Sequence, residues 1–69
     1  MDEVTIRIFE RGQNRVLIVQ RSDGRYTYRM QLRQADGWGA AGPDCGIYVS
    51  AEMAESEAHA RVWWLRKPV

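Results

Sequence analysis

The sequence predicts an α+β domain in which antiparallel strands come first and a single helix comes last. Residues 25–33 alternate strictly between apolar and polar side chains, a pattern typical of a strand with one buried face. Residues 51–66 repeat small and apolar side chains at spacings of three and four, which indicates a helix with one buried face. We therefore predict a three-stranded antiparallel meander with a C-terminal helix packed on one face of the sheet. A short fourth strand near residues 38–41 would extend this sheet.

The first two strands are predicted over residues 4–9 and 15–21. Apolar and polar side chains alternate in the first of them, and Gly12-Gln13-Asn14 supplies turn residues before the second. Asp23-Gly24 favours a two-residue type I′ loop between the second and third strands, because both central positions of that loop need positive φ.

This loop sets the predicted register of the sheet. It places Val19 opposite Tyr28 on the face that meets the helix, and it turns Val16 and Ile18 to the outer face. The first strand adds Phe9 to that outer face. The predicted helix-covered face comprises Val4, Ile6, Ile8, Leu17, Val19, Tyr26, Tyr28, Met30 and Leu32.

The chain length and cysteine content point to self-association. Residues 1–69 form one domain, near the lower size limit for a fold with a single core. Cys45 has no second cysteine for an internal disulfide, and one histidine does not make a zinc site. A patch of Phe9, Val16 and Ile18 is also more apolar than a small isolated domain exposes. Either another chain covers this patch, in a homodimer or higher homo-oligomer, or the predicted register is wrong. We expect the homodimer or higher homo-oligomer.

The predicted helix carries a second candidate protein interface. Ser50 is a favourable N-cap before its first turn. Met53, Trp63 and Trp64 lie around the cylinder from the stripe that faces the sheet, and tryptophan and methionine are enriched in interface cores. We expect at least one of the two tryptophans to contribute to an interface, and this helix surface is the alternative to the patch on the sheet. The sheet-facing stripe itself comprises Ala51, Ala54, Ala58, Val62 and Leu65.

The charge distribution supports an alternative function. The net charge is only +1, yet residues 1–33 carry seven arginines against four carboxylates, whereas the rest of the chain is acidic. Arg25, Arg29 and Arg33 follow one another along the outer face of the third strand, at a spacing that can reach several phosphates. Arg7 joins them from the first strand. The alternative to a protein-interaction module is therefore a DNA-binding accessory protein that uses this arginine-lined face.

We predict no catalytic, cofactor or metal site. Residues 37–42 match G-x-G-x-x-G, but Pro43 follows directly, where a dinucleotide site needs a helix. Cys45 and His59 lack a third group that would orient them for nucleophilic catalysis. We therefore expect a protein that is not an enzyme, and an enzyme centred on the loop at residues 37–46 is the third alternative.

Residues 46–50, Gly46-Ile47-Tyr48-Val49-Ser50, lead into the Ala- and Glu-rich segment 51–58. In this order the chain resembles the YegP-like family of small bacterial proteins over about residues 15–62. That family has a hairpin, a glycine turn, a short strand and a G-x-Y-x-S entry to an Ala/Glu helix, and its members are mostly uncharacterised. The resemblance implies a fold and little chemistry. The extra strand at 4–9 departs from the family, as does a single unit where the family often has two.

More distantly, the predicted sheet and helix are similar to plant ethylene-response-factor and integrase arm-binding domains, which lay a three-stranded sheet in the major groove of DNA. The sheet tryptophans of the plant domains are missing here. In size and type the chain is similar to products of integron gene cassettes. No segment reaches the ~18 apolar residues of a membrane span, and Asp2-Glu3 do not resemble a secretion signal, so we expect a cytoplasmic protein.

Overall fold

The computed structural model describes residues 2–65 and shows an α+β fold, which confirms the predicted class. Four antiparallel strands form one curled sheet in the order β1-β2-β3-β4, and one helix follows them. None of the described helices is long and apolar enough to cross a membrane. The elements are β1 (Val4–Arg11), β2 (Asn14–Gln20), β3 (Tyr26–Gln34), β4 (Gly37–Trp38) and α1 (Ala51–Arg61).

The loop between β2 and β3 has three residues rather than the predicted two. Arg21 N donates to Arg25 O at 2.7 Å, and Gly24 N donates to Arg21 O at 2.9 Å. Gly24 has a φ of 87°, whereas Asp23 does not have positive φ, so the predicted type I′ turn cannot form. The strand pairing therefore shifts by one residue, and Ile18 lies opposite Tyr28.

This shift exchanges the two faces of β2, because neighbouring side chains of a strand point to opposite sides. Val16 and Ile18 are 0% and 1% exposed and form the core beneath α1. Phe9, paired with Val16, packs against the same core. Their predicted place on the outer face is therefore wrong. The buried core comprises Val16, Ile18, Tyr28, Ala54, Ala58, Val62 and Trp64.

The opposite face of the sheet, which we call the open face, receives Ile8, Leu17 and Val19, which were predicted to meet the helix. The predicted β3 members of the helix-covered face keep their side, because Tyr28 lies in the core opposite Ile18. Leu17 pairs with Ile8 on this face, and Val19 pairs with Thr5 and Thr27. Val19 and Thr27 are buried on this face, opposite the one that α1 covers. The Thr27 hydroxyl donates to Gly46 O at 2.6 Å, which brings the chain after β4 over this end of the sheet.

The two edges of the sheet differ. The outer edge of β3 is covered by β4 and by the segment that follows it, because backbone N–H groups at Gly39, Gly42 and Cys45 donate to successive carbonyls of β3. Tyr48 completes this row by exchanging two backbone hydrogen bonds with Tyr26. At the other edge, β1 borders no further strand within the described residues. A register shift between Thr5 and Arg7 marks a β-bulge in that edge strand.

Helix α1 begins where it was predicted and ends earlier. The Ser50 hydroxyl accepts a hydrogen bond from Met53 N at 3.1 Å, as expected of an N-cap. The helix ends at Arg61 because Val62 is extended, with φ −92° and ψ 111°. Trp64 therefore turns into the core at 4% exposure, while Trp63 is 74% exposed. The predicted continuation of the helix over residues 62–65 is therefore wrong, and only residue 66 of the predicted span lies outside the described residues.

Candidate interaction surface

The outward edge of β1 presents backbone groups without a strand partner among residues 2–65. Gln13 O accepts a hydrogen bond from Arg33 N at 2.9 Å, so odd-numbered residues along β2 bond toward β3 and even-numbered ones bond toward β1. Phe9 and Arg7, which pair with even-numbered residues of β2, therefore bond inward. Ile8 and Glu10 in turn direct their N–H and C=O groups away from the sheet.

The side chains of this edge are unusually apolar for an unprotected strand. Seven of the eight residues of β1 are exposed, and these include Val4, Ile6 and Ile8 at 45–51% exposure. Natural edge strands are commonly protected by lysine, proline or a covering segment. β1 contains neither lysine nor proline, and its protection consists of the bulge beside Arg7 and of three exposed charged residues, Arg7, Glu10 and Arg11.

The charged side chains of β1 are held by its own chain. Arg7 donates to Glu55 Oε1 of α1 at 2.8 Å. Arg11 donates to Trp64 O at 3.0 Å. Glu10 accepts from Arg15 at 3.1 Å. These contacts fix the charged side chains of the edge in place, while the side chains of Arg7 and Glu10 stay 58% and 43% exposed beside the apolar ones.

A groove of about 450 Å³ runs beside this edge, between β1 and one side of α1. Ile18 and Ala51 form its floor, and Ile6 and Arg7 form its β1 wall. Glu55 lies between Arg7 and His59, whose Nε2 is 3.8 Å from Glu55 Oε2. The groove therefore has an apolar floor and a rim of mixed charge.

The arginines predicted to contact nucleic acid do not form one cationic row. Arg29 donates to Glu3 at 2.7 and 2.9 Å and to Asp44 at 2.7 Å on the open face. The hydrogen bonds from Arg29 lower the pKa of Glu3, and those to Glu3 and Asp44 raise the pKa of Arg29. Arg7 lies on the helix side instead, and Arg25 is exposed in the β2–β3 loop.

A second cluster on the open face was not anticipated from the sequence. The guanidinium carbon of Arg15 lies 3.9 Å from the centre of the Trp38 ring, and that of Arg33 lies 4.9 Å from it. Both arginines also face Glu10, at 3.1 and 3.7 Å. Cation–π contacts of this kind hold both arginines against the Trp38 ring, and Glu10 offsets part of their positive charge. One indication of this cluster was available in the sequence, namely the short strand predicted near residue 38, which corresponds to β4 and positions Trp38.

The predicted helix interface is divided by the structure. Met53 is half exposed, and Trp63 is exposed beyond the end of α1, but Trp64 belongs to the core. Met53 also lies on the side of α1 away from the groove, because residue 53 is far around the helix from residues 52, 55 and 59. Of the two predicted interfaces, the one on the sheet therefore lies in the core, and the one on the helix keeps only Met53 and Trp63 exposed.

The structure does not bring together the residues considered for catalysis. Cys45 lies beside Tyr28 and Tyr48 at the β3 edge, where burial raises the pKa of its thiol. His59 lies on the other side of α1, edge-on to Phe9 with ring centres 5.3 Å apart. The glycine-rich segment at residues 37–42 runs along β3 rather than opening a helix. Within residues 2–65, no group of three or more His, Cys, Asp or Glu side chains could hold a metal ion.

Comparison of the chain with protein-family models, curated proteins and solved structures found no match. The resemblances drawn from the sequence therefore stay predictions.

Proposed function

We propose that this protein is a non-enzymatic, homo-oligomeric interaction module that self-associates through the outward edge of β1. The observation that carries the proposal is the contrast between the two edges of the sheet. The chain covers the β3 edge with its own residues 37–48, whereas the β1 edge keeps apolar side chains and outward backbone groups exposed. Edge strands of this kind pair readily with another strand.

The small size of the domain supports a partner that adds to the core. A 69-residue chain buries a limited apolar core, and among residues 2–65 the core takes only Phe9 from β1. A second copy is the partner of matching chemistry, because pairing two β1 strands would cover the same apolar side chains on both sides. The interface proposed here therefore uses β1 and does not use the buried Val16 and Ile18.

The pairing of arginines with carboxylates favours this proposal over DNA binding. Arg29 is held between Glu3 and Asp44, and Arg33 faces Glu10, so three carboxylates lie on the face that would approach phosphates. A protein that grips DNA through counterion release needs cationic side chains that are free to contact phosphates.

Sedimentation velocity across micromolar concentrations tests the proposal. We expect a homo-oligomer for the unmodified protein and a monomer for Ile8→Lys, because the substitution puts a charge at the centre of the edge. Ile47→Lys is the matched control, since Ile47 is also 51% exposed but lies outside the sheet. A monomeric unmodified protein, or equal loss of association in both variants, would overturn the proposal.

Binding to a random DNA duplex tests the alternative. We expect no binding at ~50 mM salt, where a protein that contacts several phosphates would still bind tightly. Binding that weakens steeply between ~50 and ~200 mM salt would instead favour the DNA-binding function.

A further inference from the structure

We infer that two copies pair their β1 strands antiparallel about a two-fold axis at Ile8, and that the assembly closes as a dimer. This inference rests on the proposed self-association through β1 and specifies how the second copy is seated. It follows from three features of the described residues: the direction of the backbone groups of β1, the charges along it, and the covered edge of β3.

The direction of the backbone groups limits the register. In an antiparallel pair, directly opposed residues that exchange hydrogen bonds must both point their N–H and C=O groups toward the partner. On β1 these residues are Ile8 and Glu10, together with Thr5 on the far side of the bulge, because Thr5 pairs with Val19. A two-fold axis can therefore lie at Ile8, at Phe9 between them, or at Glu10, and the bulge before Arg7 limits regular pairing on the other side.

The charges select one of these three centres. A centre at Phe9 would place Arg7 opposite Arg11 of the second copy, and a centre at Glu10 would oppose two glutamates. Like charges directly opposite one another on neighbouring strands are destabilising. A centre at Ile8 places Arg7 opposite Phe9 of the second copy and avoids both clashes. Regular pairing about this centre covers residues 7–9, because the bulge lies opposite residues 10 and 11 of the second copy. A centre further along at Arg7, next to the bulge, is disfavoured for the same reason, because it would place two arginines opposite each other.

The side chains around Ile8 fit this arrangement on both faces of the sheet. On the open face, Ile8 already pairs with Leu17 of its own chain. Two opposed Ile8 side chains would therefore extend this contact into a row of four apolar residues across the joined sheet. On the helix side, Glu55 holds Arg7 in an exposed position, where its guanidinium can lie against the ring of Phe9 from the second copy.

The covered edge of β3 determines that association stops at two copies. Pairing through a two-fold axis uses the same edge of both chains, so each dimer has β3 edges at its two ends. These edges are occupied by β4 and the segment to Tyr48. The joined sheet therefore offers no further strand edge among the described residues.

Cysteine cross-linking tests the register independently of the association itself. In a Cys45→Ser background, Ile8→Cys is compared with Glu10→Cys under mild oxidation, and products are separated without reductant. We expect a disulfide-linked dimer for Ile8→Cys, because directly opposed hydrogen-bonded residues lie about 5.5 Å apart at Cα, within the range that a disulfide spans. Glu10→Cys is expected to remain largely monomeric. Ile47→Cys, which is equally exposed, reports random collisions.

The outcomes separate this inference from the proposed function. Preferential cross-linking at residue 8 over residues 10 and 47 supports the register. Preferential cross-linking at residue 10, or a sedimenting dimer without cross-linking at residue 8, overturns the register and leaves self-association intact. Species larger than a dimer overturn the closure. A monomer in sedimentation overturns the proposed function and this inference together.

Discussion

Replacing Ile18 by valine tests the register of the sheet, because the shift of one residue moves this side chain from the outer face to the core. Ile18 is among the largest fully buried side chains and lies beneath Ala54 and Ala58 of the helix. The substitution removes one methylene, worth ~0.8 kcal/mol of transfer free energy. The neighbouring side chains fill the resulting cavity only in part, so the expected loss in unfolding free energy rises to about 1 kcal/mol. A domain of this length has roughly 3–10 kcal/mol of stability in total, so the variant stays folded.

Urea unfolding followed by tryptophan fluorescence measures this loss at one fixed protein concentration. The expected shift in the urea midpoint is about 0.5–1 M, from the slopes typical of small proteins. Ile47→Val is the matched control, because Ile47 is half exposed and loses less than ~0.4 kcal/mol for the same methylene. Equal losses at both positions would refute the placement of Ile18, as would a larger loss from Leu17→Ala than from Ile18→Ala.

Three further substitutions test contacts elsewhere in the fold. Thr27→Val should lower the unfolding free energy by about 1–3 kcal/mol in urea, because the buried hydroxyl no longer donates to Gly46 O; Thr27→Ser, which keeps the donor, should lose less. Gly24→Ala should lower the unfolding free energy by about 1 kcal/mol in the same assay, because the φ of residue 24 is 87°. The cause is backbone strain and not a clash, since no atom lies within 4 Å of the added Cβ. A smaller loss for Gly24→Asn would agree with this cause, and an unchanged urea midpoint for Gly24→Ala would contradict it. The hydrogen bond from Arg29 lowers the pKa of Glu3 below its ordinary value of 4.5. The contribution of this contact to folding stability should therefore be complete above pH 4.5 and should disappear as the pH falls through the lowered pKa. Thermal unfolding between pH 2 and pH 7 should therefore show a shallower acid loss for Glu3→Gln, and identical profiles would exclude the contact.

The elements of the fold could be predicted from the sequence because each has its own periodicity. The alternation at residues 25–33 corresponds to β3, and the cap at Ser50 corresponds to the start of α1. The register could not be predicted in the same way, because residues 16–19 are all apolar and either set of alternate side chains can fill a core. The length of the loop determines which of the two registers forms, and Ser22-Asp23-Gly24 is compatible with a turn of either two or three residues.

The candidate site could be predicted only in part, because it depends on contacts between distant segments. The arginines of β3 suggest a cationic face, but Arg29 is neutralised by Glu3, which is 26 residues away, and by Asp44, which is 15 away. Neither partner is marked by local spacing. The early end of α1 was equally hidden, since the apolar pattern continues past Arg61 and only the extended backbone of Val62 turns Trp64 inward.

The three-residue loop between β2 and β3 has a consequence for how this sequence tolerates insertions and deletions. Removing one loop residue would move the Leu17 and Val19 pair under the helix in place of Val16 and Ile18, and both pairs are hydrophobic. A single-codon deletion there would therefore yield a chain with two competing interiors of similar composition. During evolution, a change in the length of this turn would therefore determine which side chains of β2 pack beneath the helix, without any substitution in β2 itself.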